Sequence, residues 1–116
     1  MSLNFSLHTD ESIKMDDGCC VFDIQITGNF RQMATRAEIA NILWAEGDNQ
    51  KFSEYTAGDI VDGLVSGLLK ACSNPGLFKP VENKNGWGSY DEFIQVLASV
   101  IIACRENPDT RIYRHY

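Results

Sequence analysis

The residues best equipped for chemistry lie around one short stretch, Asn83-Lys84-Asn85-Gly86-Trp87-Gly88-Ser89-Tyr90. Amide side chains there stand beside two aromatic rings at what reads as a helix start, with Phe78 just upstream. Amides can recognise base and ribose edges, and aromatic rings stack on bases. The free backbone N–H groups of a helix start can receive an anion, although Asp91 and Glu92 work against one. Arg105, Arg111 and Arg114 follow the same helix and suit phosphate oxygens if the fold or a second subunit brings them round. Each residue also has a plain structural role available. Trp87 fits a core or staple position, Asn85-Gly86 is a common turn, Asn29 fits a helix cap, and arginines are most often solvated.

Catalytic patterns are missing from the sequence. His8 and His115 lie near opposite ends with no metal-ligand motif around either. No nucleophile elbow or Cys/His signature occurs. Gly86-Trp87-Gly88 lacks the Lys-Ser/Thr of a phosphate loop and the third glycine of the dinucleotide fingerprint. Cys19, Cys20, Cys72 and Cys104 have no metal-ligand spacing and read as reduced thiols. A binding protein without enzymatic activity, metal or cofactor is therefore expected.

The 116 residues are expected to form a single domain, 1–116, with one core. The net charge of -6 argues against a general nucleic-acid binder, yet a few arginines could still make one anionic pocket. No run of roughly 18 apolar residues predicts a membrane span, and Met1 to Thr9 lacks a signal-peptide pattern. A cytoplasmic protein is the expectation.

The elements that must position these groups follow from periodicity. Leu3, Phe5 and Leu7 alternate with polar residues, as do Phe22, Ile24 and Ile26, which predicts an antiparallel hairpin. Asn29 with Gln32 suggests a cap for a helix over 30–44, bent if anything. Residues 46–53 read as a loop. Thr56 with Asp59 starts a second helix carrying Gly63 and Gly67, whose cost of about 1 kcal/mol each inside a helix implies close packing or a ligand. Asn74-Pro75-Gly76 ends it, and 77–84 reads as a connector. Ser89 and Glu92 match a capping box, followed by Phe93, Val96, Leu97, Val100, Ile101 and Cys104 along one helical face. Residues 111–116 read as a final strand. The expected fold is α+β: a short antiparallel sheet, made of the N-terminal hairpin plus a C-terminal strand, packed with three main helices.

Ile26-Thr27-Gly28-Asn29 with Met33, Leu43-Trp44, Gly67-Leu68, Asn74-Pro75, Phe78, Asn85-Gly86-Trp87-Gly88-x-Tyr90 and Ala103-Cys104-Arg105-x-x-Pro108 occur in this order. The set resembles a family of small phage-encoded proteins with an Asn-Gly-Trp-Gly-x-Tyr motif, and is similar to the type 1 Thoeris anti-defence sponge proteins. The likeness covers about Val21 to Arg114. It departs at Gly28, where the family's motif has histidine, and in the short loop after Trp44. The resemblance implies a homo-oligomeric α+β protein in the cytoplasm of a host cell. It would hold cyclic ADP-ribose-type signals, and in some cases cyclic oligonucleotides, without cleaving them. Phe78, Asn85, Trp87, Arg105 and Arg111 fit the ligand-binding roles it implies, and Asn29 and Asn83 join them as candidate ligand-binding residues. The rival expectation is an acidic protein-protein inhibitor of a host defence nuclease or complex, motivated by the net negative charge.

Overall fold

The computed structural model describes residues 2–9, 20–82 and 88–116. The predicted hairpin is present. Strand β1 (Leu3–His8) pairs antiparallel with β2 (Cys20–Ile26), placing Phe5 opposite Ile24 and Leu7 opposite Phe22. The predicted C-terminal strand is also present. It is β4 (Arg111–His115), antiparallel to β1 on its other side, with Leu7 opposite Ile112 and Phe5 opposite Arg114. A further strand, β3 (Lys51–Thr56), lies along β4 and completes a four-stranded sheet of order β2-β1-β4-β3. The fold is α+β, as expected, but β3 occupies part of the segment read as a loop. Its pairing register shifts between Phe52 and Thr56. Its aromatic residues, Phe52 and Tyr55, are three apart rather than two, so the alternation that marks a strand is absent.

The helix predicted over 30–44 is not continuous. A 3-10 turn (Gly28–Phe30) leads into α1 (Arg31–Arg36), and α2 (Ala40–Leu43) follows after a break. At the break the Ile39 N–H donates to the Ala34 carbonyl at 2.9 Å and the Glu38 N–H to the Thr35 carbonyl at 3.0 Å. These are the paired bonds of a Schellman stop. Glu38 holds the left-handed position, φ 63°, which glycine usually fills. The strain is offset by Ile39, which is buried against α3 (Ala57–Ser73). A Cβ at Gly67 would collide with Ile39 Cγ2, and one at Gly63 would come within 2.6 Å of Ile42 Cδ1. The two helical glycines therefore serve the close packing that their cost implied.

Helix α3 begins as its cap signal indicates, with the Thr56 N–H donating to Asp59 Oδ2 at 2.9 Å. After Asn74, Pro75 starts a short helix α4 (Pro75–Phe78) rather than a plain connector. The last helix, α5 (Tyr90–Glu106), starts at Ser89, whose Oγ accepts from the Glu92 N–H at 3.2 Å. Such a cap contributes about 1 kcal/mol. One core joins Leu3, Phe5, Leu7 and Ile112 from the sheet to Leu64, Phe93, Leu97 and Val100 from α3 and α5. The apolar faces of these helices are narrower than the sequence pattern, since Leu69 and Ile102 are exposed. Among the described residues no helix is long and apolar enough to cross a membrane.

Candidate ligand-binding site

Asn83, Asn85 and Trp87 lie outside the described residues. The residues on either side of the segment make specific contacts. Glu82 Oε2 accepts the Tyr90 N–H at 2.7 Å, satisfying a donor at the start of α5. The Tyr90 hydroxyl donates to the Ala71 carbonyl of α3, also at 2.7 Å. Burial raises the Tyr90 pKa, with smaller contributions from Cys72 and Asp91, which keeps this donor protonated. Gly88 is buried at φ 92°, a left-handed conformation that side chains resist. A Cβ there would lie 2.7 Å from Asn29 Cβ. Asn29 thus abuts the exit of the segment that carries the tryptophan motif.

Asn29 does not cap a helix. Thr27 does so, its Oγ1 accepting the Asn29 N–H at 3.3 Å, and Asn29 sits within the 3-10 turn. Phe78 is fully buried, its ring 6.3 Å from Tyr90 and 6.4 Å from Phe93. It supports the start of α5 from below and offers no face to a ligand, contrary to the role expected for it. Arg105 and Arg111 stand at the other end. Arg105 is exposed in the last turn of α5, about 23 Å along the axis from Tyr90 at 1.5 Å per residue. Arg111 follows the turn after α5 and pairs across the sheet with His8 and Thr56. Within one chain the fold keeps these arginines away from Asn29 and Gly88.

Other cations occupy the place they were expected to fill. Gly28, Arg31, Gln32, Thr35, Arg36 and Val81 line a groove of about 460 Å³. Val81 immediately precedes Glu82, and Gly28 immediately precedes Asn29, so the groove adjoins both ends of the 83–87 segment. The four side chains of α1 share its outer face, while Met33 and Ala34 face the core. Arg31 Nη2 lies 2.8 Å from Glu46 Oε1, and its guanidinium stacks 5.5 Å above the buried Trp44 ring. Arg36 Nη1 donates to the Leu77 carbonyl at 3.3 Å. These contacts position the guanidinium groups, and Glu46 neutralises only Arg31. Planar guanidinium forks beside an amide and a hydroxyl suit a ligand with anionic oxygens and polar ring edges. At Gly28 the wall is bare backbone.

Arg31, Gln32, Thr35 and Arg36 were missed because the sequence reading followed the apolar stripe of this helix. Their recurrence at i, i+1, i+4 and i+5 was the available signal, but it also describes any solvated helix face. The Ser6 Oγ and His8 Nε2 share a hydrogen bond of 2.9 Å, a spacing that would suit a nucleophile and its base. Both residues are buried and the His8 ring is wedged edge-on to Phe52 and Tyr113, so a substrate has no access. Burial pushes the Cys104 thiol up to about 11, against a smaller lowering by Arg114, which keeps it protonated and unreactive near neutral pH. Among the described residues no group of three or more His, Cys, Asp or Glu could hold a metal ion. Comparison with protein-family models, curated proteins and solved structures gave no match.

Proposed function

We propose that this protein is a phage anti-defence protein that binds and sequesters a cyclic ADP-ribose-type immune signal, or a related cyclic oligonucleotide, without cleaving it. The observation that carries the reading is the groove at Arg31 and Arg36, set between the ends of the tryptophan segment and next to Asn29. The arginines would take the pyrophosphate. Asn29, Gln32 and the amides of the segment would take ribose and base edges, and Trp87 would supply a stacking face. Arg105 and Arg111 join such a site only if a second copy delivers them, which fits a homo-oligomer acting in the host cytoplasm.

The test is to mix the protein with cyclic ADP-ribose isomers and cyclic oligonucleotides, filter, then heat the retained protein and assay what is released. Depletion of one signal from the filtrate and its recovery intact are expected. Arg36→Ala should weaken retention roughly ten- to a hundredfold, the worth of one charge-assisted hydrogen bond. No depletion, or recovery of degraded ligand only, overturns the reading. If a host protein is captured instead, and nucleotides do not displace it, the chain is an acidic protein-protein inhibitor.

A further inference from the structure

A second concavity, about 270 Å³, opens between α2, β3 and α3. Ile42 and Ile60 form apolar walls, Tyr55 and Asp59 stand exposed at its mouth with Asn41, and Arg114 lies at its floor. Arg114 is only 2% exposed. Its Nε donates to the Leu43 carbonyl at 2.8 Å and its Nη2 to the Ile42 carbonyl at 2.6 Å. Its Nη1 reaches Asp48 Oδ2 at 3.5 Å. A guanidinium has five N–H groups, so these contacts leave one on each terminal nitrogen without a protein acceptor among the described residues. At the mouth, Asp59 Oδ2 accepts the Thr56 N–H, which leaves its other oxygen for a donor from outside.

The charges define what such a site takes. Arg114 is matched by Asp48, and Asp59 adds a further negative charge at the opening. An anion entering would meet net repulsion. A neutral planar ring fits: its faces lie against Ile42, Ile60 and Tyr55, a ring acceptor points inward to Arg114, and an outer N–H points to Asp59. We infer that this cavity is a binding site for a neutral nitrogen heteroaromatic ring of the nucleobase class, distinct from the groove at Arg31 and Arg36. The inference stands on its own lining, so its failure leaves the groove reading intact.

The experiment is a titration of the ¹⁵N-labelled full chain with adenine, adenosine, adenosine monophosphate and benzoate, followed by amide chemical shifts. Adenine should give saturable shifts at Ile42, Tyr55, Ile60 and Gly63. Adenosine shows whether an attached sugar is accepted, binding within tenfold of adenine being expected if the ring enters edge first. Judged by the shifts of Ile42, Tyr55, Ile60 and Gly63 alone, adenosine monophosphate and benzoate should bind more weakly than adenine, because each brings negative charge to Asp59. Tyr55→Ala removes an exposed ring without disturbing the core, and Asp59→Asn keeps a capping side chain, so both variants should retain the native spectrum. Each should weaken adenine binding at least tenfold, while Arg36→Ala leaves it unchanged. No saturable shift with adenine, tighter binding of benzoate, or unchanged affinity in Tyr55→Ala overturns the assignment.

Discussion

The groove and the cavity both contain arginine, and they hold it in opposite ways. In the groove, Arg31 and Arg36 are surface groups, and among the described residues each is held by a single polar partner, Glu46 or the Leu77 carbonyl. In the cavity, Arg114 is embedded between the carbonyls that end α2 and the Phe5 ring, whose centroid lies 5.6 Å from its guanidinium carbon. Its burial lowers its pKa, while Asp48, Tyr116 and Cys104 act in the opposite direction. An exposed guanidinium costs little to keep charged and can rearrange around a ligand. A buried one must be satisfied by the protein first, and its removal strands the partners it leaves behind. The molecule thus holds the same residue type at two depths, with different costs for its removal.

Three substitutions would break or sharpen that contrast. The largest effect belongs to Arg114→Met, which keeps much of the side-chain volume but leaves Asp48 and the Ile42 and Leu43 carbonyls without their donor. A loss of about 3 kcal/mol is expected in urea denaturation. A midpoint within error of the parent would mean that Arg114 is no more structural than the groove arginines. Next comes Gly88→Ala, which must place a Cβ at φ 92° and 2.7 Å from Asn29 Cβ. A cost of about 1 to 3 kcal/mol is expected, set against Gly47→Ala, where nothing lies within 4 Å of the added carbon. Equal stability of the two variants would show that the wall formed by Gly88 and Asn29 yields freely. The smallest effect should be that of Arg31→Ala, since its partner Glu46 is 76% exposed. Thermal denaturation should record less than about 1 kcal/mol, even as ligand retention falls. A larger loss would make Arg31 a structural residue and weaken its assignment to the groove.

The elements that were legible in the sequence are those whose local signals agree. Helices α3 and α5 carry caps at Thr56 and Ser89 and a helical apolar period, and β1 and β2 alternate cleanly. What escaped reading was fixed by contacts distant in sequence. Strand β3 has an irregular register, so Phe52 and Tyr55 do not alternate. The stop after α1 uses Glu38 where a glycine would have announced it, and only the packing of Ile39 on Gly67 explains it. The site was legible in part. The sequence singled out the segment around Trp87 and linked Asn29 to it by order alone, and the fold sets Asn29 against Gly88. Phe78 read as a free aromatic because nothing local shows that Tyr90 and Phe93 enclose it. Arg114 reads from the sequence as a candidate phosphate contact or else a solvated arginine, yet its register opposite Phe5 turns it toward the core.

The hydrogen bond between Glu82 and the Tyr90 N–H has a consequence for how the chain can vary. It ties the residue that follows α4 and its 3-10 turn directly to the first residue of α5, so the two helices are held together by Glu82 and Tyr90 themselves. Substitutions at 83–87 that leave this bond intact are expected to shift α4 and α5 little.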